Sequence, residues 1–326
     1  MNRSTSMSFD IPNAADAASV LPIKVAALYR FARLDDLEPL RDHLLAQFQR
    51  LKIVGTLLLA QEGVNGTIAG WPDDLDAALA ILRDKTGLSE LELKFSRAPD
   101  LPFRRLKVKI KREIVTMGVP DVDPTLIAGT YVAPHDWNAL ISDPDTIVID
   151  TRNDYEVRLG TFNKAVDPQT TSFGEFPAWV EANREQLEGR KIAMFCTGGI
   201  RCEKATAFVR GAGFDEVFHL KGGILQYIED VPSDQSLWQG ECFVFDERVS
   251  VGHGVMPGAA SLCHACRHSV TQEDRQSPLY QEGVCCPQCA ETQDPKDRAR
   301  FAERQKQIEL AEARGRGAHL GPRKSD

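Results

Sequence analysis

A cysteine becomes a nucleophile when its surroundings favour the thiolate over the thiol, and the stretch FCTGGIRCEKA (195–205) supplies such surroundings. The apolar run KIAMF delivers Cys196, after which Thr197, Gly198, Gly199 and Ile200 turn the backbone toward a helix expected to begin near Cys202. Two consecutive glycines permit a tight arc with converging amide hydrogens, a nest suited to an anion. The helix start adds partial positive charge and Arg201 a full one, so Cys196 is expected to carry a lowered pKa with Arg201 stabilising its anion. Cys202 has two readings: a second thiol able to attack an oxidised or persulfidated Cys196, or a small residue that starts the helix.

Further cysteines gather near the C terminus. Cys263 and Cys266 form one C-x-x-C pair and Cys286 and Cys289 another, with nineteen residues between them. Two such pairs fit a four-thiolate zinc ribbon, each pair on a tight knuckle. Cys285, His264 and His268 offer alternative ligands, and the competing reading is a set of reduced or loosely redox-active thiols.

A third pattern is electrostatic. In RRLKVKIKREIV (104–115), strand alternation puts Leu106, Val108 and Ile110 on one face and Arg105, Lys107, Lys109 and Lys111 on the other. Such a stripe either keeps a strand soluble and free of edge pairing or contacts the phosphates of a nucleic acid. The chain as a whole has a net charge of -8, so a nucleic-acid contact has to come from a local patch.

These groups need elements to position them. The 326 residues, 42% hydrophobic and 26% charged, suit two to three soluble globular domains. Residues 1–22 lack periodicity and are expected to be a poorly ordered N terminus. Across 23–115, strand and helix patterns follow as KVAALYRFA, DLEPLRDHLLAQFQRL, IVGTLLLA with GTIAG, WPDDLDAALAILRDKTG, then ELKF and the basic run. The order β-α-β-β-α-β predicts a ferredoxin-like α+β domain. Residues 116–130, rich in Pro, Gly and Asp, read as a linker. From 131 to 232, strands DTIVID, KIAMFC and VFHL alternate with helices, which predicts a parallel α/β domain. A Cys-rich segment (240–295) and a charged helical tail (296–326) follow; from 295 onward nine Lys or Arg stand against five Asp or Glu, a solvated tail or a weak nucleic-acid contact. No apolar run suffices to cross a bilayer and the N terminus lacks a signal-peptide layout, so a cytoplasmic location and reduced thiols are expected.

Cys196 with Arg201 five positions on, followed by Lys204 and Ala205, resembles the active-site loop of rhodanese domains; Asp150, Arg152, Glu156 and LKGGILQY (220–227) resemble further rhodanese landmarks. The resemblance implies a persulfide on Cys196, although the commoner pattern has serine where this chain has Cys202. QEGVNGTI, CTGGIRCEKA and the tail from CHACRH to CCPQC together resemble the bacterial tRNA uridine hydroxylase family over roughly 23–295. That resemblance implies a tRNA partner and O2 as cosubstrate, with conversion of the wobble uridine to 5-hydroxyuridine. The chain shows no flavin or NAD fingerprint and identifies no electron donor or protein partner. A sulfurtransferase acting through a Cys196 persulfide is the competing function, and a non-enzymatic adaptor the third.

Overall fold

The computed structural model describes residues 21–314. The N terminus expected to be poorly ordered lies outside the described residues up to position 20, as does the tail from 315 onward. The first unit comprises β1 (Ile23–Phe31), α1 (Leu37–Arg50), β2 (Val54–Ala60), β3 (Gly63–Gly70), α2 (Pro72–Thr86), β4 (Glu92–Ala98) and β5 (Leu106–Ile110). Its sheet runs β4-β1-β3-β2-β5, with β5 parallel to β2 and the remaining pairs antiparallel. The expected ferredoxin-like unit is therefore present and is already complete at β4. The basic run adds a fifth strand at the edge, shorter than the sequence pattern suggested. Both helices cover one face, where Leu44, Phe48, Leu75 and Leu82 pack against Ala26, Leu28, Leu57 and Ile68.

Strand pairing decides what the other face carries. Tyr29 stands opposite Asn65, Asn65 opposite Leu58, and Leu58 opposite Lys109; the adjacent row holds Ala27, Thr67, Thr56 and Lys107. Side chains in one row share a face, so the lysines lie on the helix-free side together with Tyr29.

The second unit contains β6 (Thr130–Val132), α3 (Pro134–Ser142), β7 (Thr146–Asp150), α4 (Asp154–Val157), β8 (Gly160–Phe162), α5 (Phe176–Ala182), α6 (Arg184–Leu187), β9 (Lys191–Phe195), α7 (Ile200–Gly211), β10 (Val217–Leu220) and α8 (Gly223–Asp230). The strands β6-β10-β9-β7 form a parallel sheet, as the alternation of apolar strands and helices predicted. Apolar side chains fill both of its faces: Trp137, Phe195, Leu220 and Tyr227 on one side, Ile149, Met194, Val180 and Val209 on the other. The helical stretch FPAWVEANREQL breaks at Asn183, and α7 begins at Ile200 rather than near Cys202. Arg201 and Cys202 thus sit in its first turn. Residues 116–129 form no helix or strand, yet Met117 is buried in the second unit's core.

Beyond it, β11 (Trp238–Gly240) pairs with β8, and β12 (Cys242–Phe243) with β13 (Ser250–Val251). A small hairpin of β14 (Ser261–Leu262) and β15 (Ser269–Val270), then α9 (Gln272–Gln276) and α10 (Pro295–Ala313), complete the described chain. Among the described residues no helix is long and apolar enough to cross a membrane.

Candidate active site

Strand β9 ends at Phe195, so Cys196 emerges at the carboxyl end of the parallel sheet, where open α/β folds place their ligands. Gly199, with φ of 101°, caps α7 from the left-handed region and donates its N–H to Cys196 Sγ at 3.2 Å. A side chain there would also press against the Tyr29 hydroxyl, 2.9 Å from an added Cβ. The start of α8 secures the loop from behind: Ile224 N–H donates to the Cys196 carbonyl at 2.9 Å and Leu225 N–H to the Thr197 carbonyl at 3.0 Å. At Gly223, φ is 67° and an added Cβ would lie 2.5 Å from the Cys196 carbonyl oxygen, so only glycine allows this approach. That contact gives the LKGGILQY segment its physical role.

Burial alone would push the Cys196 thiol up. It is outweighed by a hydrogen bond from the Cys202 thiol, the positive charge of Arg201 and the N–H groups of Cys202 and Gly199, which bring the pKa down to about 6. Cys196 is therefore mostly thiolate at neutral pH. Its neighbour moves the other way: burial and the Cys196 charge hold Cys202 well above the usual thiol range, so it serves as a proton-bearing donor.

Arg201 is not a free cation. Its guanidinium grips Glu156 with Nη1 to Oε2 at 2.6 Å and Nη2 to Oε1 at 2.7 Å, and Glu156 also accepts from Thr197 Oγ1 at 3.3 Å. Burial works against the Glu156 carboxylate, but Arg201 holds its pKa below the ordinary range. Behind this pair lies a second one, Arg152 on Asp150, with Nε to Oδ1 at 2.8 Å and Nη2 to Oδ2 at 2.6 Å and both side chains 0% exposed. Fully paired buried charges of this kind fix geometry, because neither partner can move without stranding the other.

The first turn of α7 also reaches the other unit. Tyr29 donates to Glu203 Oε1 at 2.8 Å, and burial keeps the Glu203 carboxyl above its ordinary range despite that bond. Lys204, 3% exposed at its side chain, donates to Glu62 at 2.9 Å, to Glu113 at 2.6 Å and to the Val115 carbonyl at 3.0 Å. The two units meet across these contacts and leave between them an open-mouthed cavity of about 250 Å³. Cys196, Thr197, Gly198, Ile200 and Arg201 form one wall, and Tyr29, Asn65, Thr67, Glu92 and Lys94 of the first sheet form the opposite one. The sequence pointed to the first wall. It gave the second no role, naming Asn65 and Thr67 only within the QEGVNGTI resemblance, since the Tyr29–Glu203 bond joins residues 174 positions apart.

The other predicted groups lie elsewhere. Arg105 and Lys107 line a larger cleft of about 1650 Å³ shared with the Cys-rich segment, including His264, whereas Lys109 and Lys111 line neither cavity. Cys263, Cys266, Cys286 and Cys289 do come together, their sulfur atoms all within 4.8 Å of one another. The Cys263–Cys289, Cys266–Cys286 and Cys286–Cys289 separations are 4.0, 3.6 and 3.9 Å. A tetrahedral ion with Zn–S bonds of about 2.3 Å has sulfur edges of about 3.8 Å, so the donor set fits a metal. Cys285 points instead to the Leu279 carbonyl at 3.4 Å, and His268 Nδ1 lies 3.3 Å from Cys266 Sγ, outside the set of four.

Comparison with known proteins agrees with both units. Residues 23–114 match the family described as UPF0176 acylphosphatase like domain, and residues 133–230 match the rhodanese-like domain. Over nearly its whole length the chain is similar to proteins named tRNA uridine(34) hydroxylase. It is 63% identical over 300 residues to that of Mesorhizobium japonicum, covering 92% of this chain and 97% of the relative. The Brucella anthropi protein is 58% identical over 303 residues (93% and 99%), and that of Brucella suis biovar 1 is 58% identical over 306 (94% and 99%). With relatives this similar over nearly the full length of both chains, the chain belongs to the tRNA uridine(34) hydroxylase family.

Proposed function

We propose that this protein hydroxylates uridine-34 of tRNA to 5-hydroxyuridine, with Cys196 as the reacting group. The observation that carries the reading is Cys196, its sulfur held by the Gly199 N–H beside Arg201 and lining a cavity built by two domains, in a chain whose near-full-length relatives bear that enzyme's name. The cavity suits a single extruded base rather than a helix, which is how enzymes gain access to a base they modify. In an oxygen-dependent reaction one atom of O2 is inserted into the C5–H bond to give C5–OH. The other leaves as water, with two electrons and two protons from a donor. Cys196 takes part through its sulfur, whose anion the Gly199 N–H and the Arg201–Glu156 pair stabilise. Cys202 holds a proton beside it, because burial and the Cys196 charge raise its pKa.

Arg105, Lys107, Lys109 and Lys111 are proposed to contact tRNA phosphates, and none of them is in an ion pair among the described residues. Zinc is proposed to sit on Cys263, Cys266, Cys286 and Cys289, where it would hold two knuckles together and act structurally. Elemental analysis of the folded protein without zinc would sink that assignment. As a tRNA-modifying enzyme the protein is expected to work in the cytoplasm.

Nucleoside mass spectrometry tests the reaction. In cells whose only copy carries Cys196→Ser, 5-hydroxyuridine should vanish from tRNA. If it persists, Cys196 is not the reacting group; if a thiolated nucleoside vanishes instead, the protein is a sulfurtransferase.

A further inference from the structure

The small cavity over Cys196 and the large basic cleft share one lining residue, Phe245. It sits in the turn between β12 and β13 and is 55% exposed, although Phe243 two positions earlier is buried at 8%. An exposed large aromatic is costly in water and normally mobile. Here the turn around it is fastened to the first unit. Arg248 clasps Asp246 through Nε to Oδ1 at 2.9 Å and reaches Ser96 Oγ at 2.7 Å. Glu247 N–H donates to the Pro102 carbonyl at 2.9 Å and its carboxylate takes Arg104 Nε at 3.0 Å. Phe245 therefore presents a ring whose backbone is rigid, with Phe243 edge-on beneath it at a centroid distance of 5.2 Å.

The charge around it favours a polyanion. Arg105, Lys107 and Arg267 line the large cleft and have no ion-pair partner among the described residues. Of the cleft's acids, Asp246 and Glu247 are taken by Arg248 and Arg104, which leaves Glu282. A basic groove ending in a rigid aromatic is the arrangement that holds splayed single-stranded nucleotides, phosphates on the cations and a base on the ring.

We propose that Phe245 is the stacking platform for the anticodon nucleotide next to the target uridine, holding the strand in the basic cleft while the uridine enters the Cys196 cavity. The assignment rests on the tRNA reading above and adds the path by which the base arrives.

The test uses the full chain and an anticodon stem-loop RNA containing the target uridine, labelled with 2-aminopurine at the position before or after it. Wild-type protein should quench the label at one of these two positions. Phe245→Ala should abolish that quenching and weaken binding roughly tenfold, in line with the loss of one base–aromatic stack. Phe245→Trp should restore both. Leu126→Ala, an 80% exposed apolar residue outside both cavities, should change neither. Arg105→Ala with Lys107→Ala should lower the salt dependence of binding, which Phe245→Ala should leave unchanged. In turnover, Phe245→Ala should raise KM for the RNA more than it lowers kcat. Wild-type affinity and wild-type quenching in Phe245→Ala would overturn the platform while leaving hydroxylation standing. RNA that fails to bind even the wild-type chain would overturn both readings together.

Discussion

Two regions of this molecule concentrate cysteine, and they treat the sulfur in opposite ways. At the end of β9 a single thiolate is surrounded by donors: one loop N–H, a thiol, a helix start and a guanidinium. In the Cys-rich segment four sulfurs face one another at 3.6 to 4.0 Å along the measured edges. Four thiolates that close would repel each other, so under the zinc assignment proposed above a shared cation would hold them together. The count of donors against sulfurs thus separates a nucleophile from a ligand. A third case sharpens the point: Cys242 is as buried as Cys196, but burial dominates there, the Arg152 charge being offset by Asp150 and Glu156, and its pKa rises to about 12.

The largest expected effects come from exchanging the two regions' losses. Cys196→Ser should remove all hydroxylation and leave the metal content of the protein unchanged. Cys286→Ser should release the metal and loosen the Cys-rich segment, as followed by limited proteolysis, while the pH profile of Cys196 alkylation stays put. If Cys286→Ser also displaces that profile, the two regions are coupled and the contrast fails.

Next comes the Arg201–Glu156 pair. Arg201→Met strands a buried carboxylate and should cost about 3–5 kcal/mol of stability in a denaturant melt. In the same variant the Cys196 pKa should rise, because a positive neighbour is gone. A variant as stable as wild type would mean that Glu156 is already neutral.

A milder test is the pH dependence of alkylation in the intact protein. Cys196 should react with a midpoint near pH 6, against about 8.5 for an ordinary thiol, while Cys242 stays unmodified through neutral pH. The sign for stability follows from the same shift. The folded state lowers this pKa, so the thiolate's contribution is complete above the unfolded value of about 8.5. It is lost as pH falls through about 6. Cys202→Ala should likewise raise the alkylation midpoint, by at least as much as Arg201→Met does, since the hydrogen bond from its thiol is the largest of the effects that hold this pKa down.

What could be read from sequence was whatever is local in the chain. The Cys196 loop spans a handful of consecutive residues, and its glycines, helix start and arginine state their chemistry without help from distant contacts. The spacing of the two C-x-x-C pairs likewise sufficed, and the strand–helix alternation gave both folds. Three things were not local. From sequence, ELKF and the basic run together complete the ferredoxin-like order; pairing with β1 shows that the strand begun by ELKF completes it alone and extends to Ala98. Arg201 reads as a free cation until Glu156, forty-five positions away, is seen to hold it. Tyr29 and Phe245 carry no local sign that they line the cavity, since it forms only where the two units meet.

The first turn of α7 makes four different attachments with four consecutive residues: Arg201 to Glu156, Cys202 to Thr151 at 3.6 Å, Glu203 to Tyr29, and Lys204 to Glu62 and Glu113. The last two partners belong to the unit made first as the chain is synthesised. That unit can form its sheet before the loop emerges, so the wall stands ready when Cys196 arrives, and the thiol is shielded from the moment it is armed. The same dependence makes the second unit a poor candidate for transplantation. Moved to another protein without Tyr29, Glu62 and Glu113, it would carry a buried lysine with no anion and a reactive sulfur open to any passing oxidant.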